Sequence, residues 1–205
     1  MYEIIAGRLA DFEKTPGVAE AMFRLRHHVF FETLQWDVPS INGMEIDDYD
    51  DEDAYYILSR SLVTRDVEGC VRLRPTLSSY MLKDTFPMLL DGQAAPERAD
   101  LWEISRFAVV NTPYADARYG FGDLSRDIIT EMVDFAVQRD IGGYVTVTST
   151  GLQRITDKLG YHTARIGQAR RIGRVRTVAL DLPIDANARR CADVHRAKRI
   201  HQPAA

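Results

Sequence analysis

Hydrophobic periodicity divides the chain into alternating helical and extended stretches. Over residues 17–33, Val18, Met22, Leu25 and Val29 recur at four- and three-residue spacing, predicting a helix with one apolar stripe entered through Thr15-Pro16. The periodicity then stops. Residues 37–53 are polar and rich in Gly and Asp, and read as a long loop of the kind that serves function or motion in compact domains. Residues 55–63 and 69–75 read as strands around a turn at 64–68, and 81–90 as a short apolar segment broken by Pro87. Residues 101–110 form a strongly β-prone strand. Residues 123–139 carry Leu124, Ile128, Met132 and Phe135 or Ala136 at helical spacing, with Asp123 as candidate N-cap. Gly142-Gly143 ends that unit before a strand over 144–150, and a helix over 151–159 stops at Gly160. A later strand covers 176–182, and the tail over 185–201 is helical and basic. This succession predicts an α/β sandwich with a central, largely antiparallel sheet and helices on both sides.

With 205 residues, 45% hydrophobic and 27% charged, and with no repeat, linker or break in composition, the chain suits one domain over 1–205, its last segment, 185–205, a basic tail. A formal net charge of -4 argues against a general nucleic-acid binder. That average hides an asymmetry. Acidic residues cluster from Glu45 to Asp53, and basic ones gather from Arg154 to Arg176 and from Arg189 to Arg199. An acidic patch suits a cationic ligand, and a basic one an acidic partner. Cys70 and Cys191 are far apart, without metal-like spacing, and fit a reducing compartment. The start lacks a basic segment followed by a long apolar run, and no stretch is long and apolar enough to span a membrane, so a cytoplasmic location is expected.

Four clusters carry candidate chemistry, and each has an ordinary reading beside it. Arg26, Phe30 and Trp36 read either as core aromatics with a solvated arginine or as a pocket whose aromatic faces attract a cationic or adenine group. The run Glu45-Ile-Asp47-Asp-Tyr-Asp50 reads as a solvated loop or as a cation site; it lacks the glycine and closing glutamate of a calcium-binding EF-hand. In Trp102-Glu103-Ile104-Ser105-Arg106-Phe107, strand parity puts Glu103 and Ser105 on one face and Arg106 on the other, unless a bulge re-aims one of them. Buried charges there need partners, and an internal salt bridge is the structural alternative to catalysis. Arg72 and Arg74 share a strand face, which reads as the exposed side of an edge strand, more so for Arg74.

Taken together, Arg26, Phe30, Trp36, Asp47, Asp50, Arg72, Phe86, Glu103 and Arg106, in that order and spacing, resemble the signature of the acyl-homoserine-lactone synthase (autoinducer synthase) family. Leu-Arg-His-His-Val-Phe (25–30), Met-Glu-Ile-Asp-Asp-Tyr-Asp (44–50), Tyr-Met-Leu-Lys-Asp-Thr-Phe-Pro (80–87) and Trp-Glu-Ile-Ser-Arg-Phe (102–107) support it, and the resemblance runs from about residue 2 to 183. It implies an N-acetyltransferase-like fold with a V-shaped cleft in a mixed sheet. The implied reaction makes a quorum-sensing signal: the amine of S-adenosylmethionine is acylated from an acyl-acyl-carrier protein or acyl-coenzyme A, and lactone closure then releases methylthioadenosine.

The resemblance also implies roles. Glu103 is the expected base, with Asp47, Asp50, Arg72 and Arg106 completing the catalytic group. Arg26, Phe30, Trp36, Asp47 and Asp50 are expected to hold S-adenosylmethionine, a substrate, with no cofactor and no metal. Ser105, Thr146, Thr148 and Phe86 are placed at the acyl pocket, where a Thr148 hydroxyl suits a 3-oxo donor; ordinary β-branched strand formers are the alternative. Arg154, Lys158 and Arg171 are expected to dock an acidic carrier protein, a solvated surface helix being the plainer reading. Neither nucleic acid nor membrane is expected as a partner, and a monomer is expected. Two rivals stand beside this reading. One is a conventional acetyl-coenzyme A-dependent N-acetyltransferase gripping its donor through Arg118-Tyr-Gly120-Phe-Gly122. The other is a non-catalytic module binding nucleic acid through the basic segment, which has no aromatic platform beside its arginines.

Overall fold

The computed structural model describes residues 1–12, 14–110 and 122–200, and these build an eight-stranded sheet with helices packed on both of its faces. In chain order the elements are β1 (Tyr2–Gly7), α1 (Leu9–Phe12), α2 (Val18–Arg26), β2 (Ser40–Ile41), β3 (Met44–Glu45), β4 (Tyr55–Ser61), β5 (Val67–Pro75), α3 (Met81–Asp84), β6 (Leu101–Val109), α4 (Asp123–Gln138), β7 (Gly143–Ser149), α5 (Thr150–Lys158), β8 (Ala164–Arg165), β9 (Arg170–Ile172), β10 (Val175–Pro183) and α6 (Ala186–Ile200). The sheet order is β1-β4-β5-β6-β7-β10-β8, with β9 also on β10. Every pairing is antiparallel except β6 with β7.

Period-two alternation sorts the strands between two layers. Ile57, Val71, Leu73 and Ile104 face α4 and pack with Ile128, Met132 and Phe135. Tyr56, Leu58, Cys70 and Ala108 face α2 and pack with Met22, Phe23, Leu25 and Phe30. A third cluster, with Leu82, Leu89, Leu101, Val145 and Ala179, fills the α2 side of the sheet's other half. Gly69 sets how closely α4 approaches: a Cβ there would lie 2.6 Å from Ile128 Cδ1.

The structure differs from the sequence expectations in definite ways. The first predicted helix runs its expected length, but after Arg26 it widens into a π-helix over His27–Thr33. The stretch read as loop contains the β2–β3 hairpin, whose Asn42 and Gly43 take φ of 54° and 73°, the paired positive angles a two-residue hairpin turn requires. Gly122, not Asp123, is the N-cap of α4. The first strand and the short β8 and β9 carried too little alternation to be read. The donor-gripping turn suggested at 118–122 lies, apart from Gly122, outside the described residues.

Two irregularities in β6 position the site. The β5–β6 register shifts between Cys70 and Arg72: Cys70 pairs with Ala108 and Arg72 with Ser105, so β6 carries an extra residue. Arg106 sits there with φ of 53°, and Ser105 and Arg106 therefore both project toward the α2 side. On its other edge, β6 pairs with β7 only from Leu101–Gly143 to Ile104–Thr146. Beyond that point β6 stays with β5 and β7 stays with β10, and the sheet parts between them.

Candidate active site

Beside that split, on the α2 face, lies a buried ionic network built from three distant segments. Arg26, at the end of α2, donates Nε to Glu45 at 2.5 Å and both terminal nitrogens to Asp50 at 2.7 and 2.8 Å. Arg72 on β5 donates to Asp47 at 2.5 Å, to Asp50 at 2.8 Å and to Ser105 Oγ at 3.0 Å. Arg106, turned inward by its bulge, donates to Glu45 at 2.8 Å and pairs with Asp47 at 2.6 Å. The three guanidinium groups and three carboxylates balance in charge, as a buried network requires. Asp50 also accepts the Tyr56 hydroxyl at 2.7 Å and the Asp47 N–H at 2.9 Å.

Burial alone would push the Asp50 carboxyl up, but the hydrogen bonds and charges of Arg26 and Arg72 outweigh it and hold it well below the usual carboxylate range. Burial opposes charge on Arg26 too, and the Asp50 and Glu45 carboxylates more than restore it. Arg74, read from sequence as the more exposed of the strand arginines, is instead 1% exposed. It donates to Asp51, to the Ser79 carbonyl and to the Tyr49 carbonyl. The physical reason is that β5 is a central strand, paired on both edges.

Glu103 lies one strand pair from the split and is 1% exposed. Its two oxygens accept the backbone N–H of Met81 at 2.9 Å and of Leu82 at 2.7 Å, the first residues of α3. Burial raises its pKa to about 7, against the lowering influence of those N–H groups and of the Arg72 and Arg74 charges. Two carboxylates on one face are thereby shifted in opposite directions: Asp50 is favoured as the carboxylate, and Glu103 takes or gives a proton near neutrality.

The acidic loop and the π-helix bring an aromatic wall to the same place. Phe30 and Trp36 stack with centroids 5.2 Å apart and planes 19° from parallel, and the Arg106 guanidinium lies 5.5 Å from the Phe30 centroid. Trp36 stays 40% exposed, so its indole remains accessible to a ligand.

The remaining sequence-predicted residues are more dispersed. Ser105 points toward Arg72 on the α2 face, and Phe86 packs against the third cluster on that face. Thr146 and Thr148 point to the opposite face, by register with Ile104 and by alternation. Thr146 donates its hydroxyl to the Ile104 carbonyl at 2.8 Å, at the last paired position. The four thus flank the split from both sides of the sheet. Arg154, Lys158 and Arg171 are exposed, the first two on α5 and the third on β9. Sequence reasoning set Glu45 aside and missed Tyr56 and the Met81 thioether, which Arg106 approaches at 3.2 Å. The position of Glu45 two residues before Asp47 was the available signal.

A mixed sheet parted between its one parallel pair, with a proton-exchanging carboxylate beside the gap, defines an acyltransferase of the N-acetyltransferase-like type. A solved structure from Lactobacillus plantarum shares the fold at a TM-score of 0.58 and 14% identity. The chain belongs to the autoinducer synthase family, whose model matches residues 12–191. It is 37% identical over 181 residues, 88% of each chain, to an acyl-homoserine-lactone synthase from Pseudomonas aeruginosa. It is 35% identical over 179 residues, 86% of this chain and 92% of the relative, to one from Aliivibrio fischeri. Among solved structures it resembles the AHL synthase LasI, with a TM-score of 0.82, 35% identity and 94% coverage of both chains. It likewise resembles the CoA-dependent acyl-homoserine lactone synthase BjaI with SAM and isopentyl-CoA, with a TM-score of 0.84 and 28% identity, covering 100% of this chain and 92% of that one. Among the described residues no helix is long and apolar enough to cross a membrane.

Proposed function

We propose that this chain acylates the amine of S-adenosylmethionine from an acyl thioester, on carrier protein or coenzyme A, and then closes the product to an acyl-homoserine lactone. The observation that carries this reading is Glu103: a buried carboxyl with a pKa near 7, next to the parting of β6 from β7. An amine attacks a thioester only as the free base, and a carboxylate of this pKa accepts its proton at neutral pH. The nitrogen forms its bond to the acyl carbon, the C–S bond breaks, and the departing thiolate takes up a proton that Glu103 returns. The substrate carboxylate then attacks the carbon bearing the sulfonium. That C–S bond breaks, sulfur keeps the electron pair, and neutral methylthioadenosine leaves without further proton transfer.

The acceptor lies against the exposed Trp36 indole, whose face attracts the sulfonium or stacks on adenine. Asp50 is enclosed by Arg26, Arg72 and Tyr56, and acts as a positioning residue that fixes those arginines. Asp47, at the rim with 8% of its side chain exposed, joins Arg72 and Arg106 in setting the acceptor's place. The Thr148 backbone pairs with Val178 on β10, and its hydroxyl is the partner we assign to a 3-oxo group on the acyl chain. The test is incubation with S-adenosylmethionine and matched 3-oxo and unsubstituted acyl thioesters, following methylthioadenosine and lactone mass. Lactone with methylthioadenosine is expected, faster from the 3-oxo donor. Thiol release with N-acylation but no methylthioadenosine would sink the synthase reading, and equal rates would sink the 3-oxo assignment alone.

A further inference from the structure

The C-terminal helix builds a second cavity that the reaction does not use. α6 packs on α4, and between them and the end of α5 lies a cavity of about 160 Å³. Arg126, Arg190, His195 and Lys198 contribute its polar lining, and among the described residues no carboxylate lines it. Asp127, which holds the lining residue His195 through Nε2 at 2.7 Å, is shared with Tyr2 and Arg199. Arg126 Nε is sealed from solvent yet has no hydrogen-bond partner among the described residues. That N–H does not face the cavity, so the attraction for an anion comes from the charges of Arg126, Arg190 and Lys198 in the cavity wall. The rest of the wall is apolar, formed by Ile129, Leu159, Tyr161 and Val194. His195 and Lys198 lie past residue 191, where the match to the family model ends, so the cavity depends on a part of the chain outside that match.

We propose that this cavity binds a short-chain carboxylate, its head among Arg126, Lys198 and Arg190 and its tail along the apolar wall. A phosphate would meet the same cations but would set its charge against Ile129, Leu159 and Val194, which favours an anion carrying an apolar body. Hexanoate has a suitable head and tail for the test.

Cys191 also lines the cavity and is half-buried, so its alkylation reports occupancy at this place. Cys70, 1% exposed and with its thiol pushed up to about 12 by burial, serves as a silent control. Alkylation of the full chain by iodoacetamide, resolved by peptide mass spectrometry, is measured against hexanoate, hexanol and inorganic phosphate. Hexanoate should slow Cys191 alkylation several-fold and saturably, while the other two leave it unchanged. Arg126→Gln should remove the protection, and Lys198→Gln, at an exposed position that does not threaten folding, should shift it to several-fold higher hexanoate. The proposal is overturned by no protection from hexanoate, by equal protection from hexanol or phosphate, or by full protection in Lys198→Gln.

Discussion

Glu103→Gln tests the base and its environment in one variant. Burial lifts the carboxyl from 4.5 to about 7, and each unit corresponds to about 1.4 kcal/mol. Ionising Glu103 in the folded chain therefore costs about 3 kcal/mol more than in the unfolded one. The folded-state pKa is the higher of the two, so the stabilisation is fully present below 4.5 and is lost as pH rises through about 7. Glutamine does not titrate. It should lower stability by roughly 1–3 kcal/mol at pH 5, where Glu103 is largely protonated, because its amide meets a backbone N–H where an oxygen accepted. It should lack the slope, so the difference closes or reverses by pH 8. Urea unfolding at pH 5 and pH 8, followed by tryptophan fluorescence, reads the difference. The wild type should lose about 2–3 kcal/mol relative to the variant over that interval, a midpoint shift on the order of 1 M for an m-value of about 2 kcal/mol/M. In turnover, wild-type kcat/KM should rise with pH through a group near 7, and the variant should be slower by about 10²–10⁴-fold. Parallel stability profiles would refute the buried, proton-exchanging carboxyl, and near-normal turnover would refute its role as base.

Asp50→Asn removes one negative charge from a balanced network and leaves Arg26 and Arg72 facing a neutral amide. Breaking such a buried pair costs about 3–5 kcal/mol, measurable by urea unfolding, and a loss below about 1 kcal/mol would show that the network is not load-sharing as described. Arg154→Glu combined with Lys158→Glu should raise the apparent KM for an acyl-carrier-protein donor at least several-fold and flatten its salt dependence, with kcat little changed. An unchanged KM would remove α5 from the docking surface.

Strands whose apolar residues alternate were legible in the sequence because alternation is imposed by burial on one face. Arg72, Arg74, Glu103 and Ser105 were correctly grouped by face for that reason, and their pairing across β5 and β6 confirms the parity. Burial of the loop acids was not legible. An acidic run is solvated unless cations reach it, and the cations here stand on α2, β5 and β6, far away in sequence. Arg74 was misjudged on the same account, since an alternating arginine looks the same on an edge strand and on a central strand whose charge is paired.

The decisive feature was open in the sequence only as an alternative, a bulge that would re-aim one residue of 102–107, without its position or its partners. Alternation carried through 101–109 puts Arg106 among the apolar residues facing α4, away from Glu45 and Asp47. One extra residue in β6 returns it to the side of Glu45 and Asp47, at the expense of a left-handed φ of 53° in a residue that is not glycine. Such a conformation costs about 1–3 kcal/mol and persists only where its surroundings enforce it. Arg106 meets that condition through Glu45, Asp47 and the Phe30 ring. The strain at the bulge and the closure of the ionic network are therefore coupled: without the bulge Glu45 and Asp47 lose a cation, and without those acids the bulge loses the ion pairs that offset its strain.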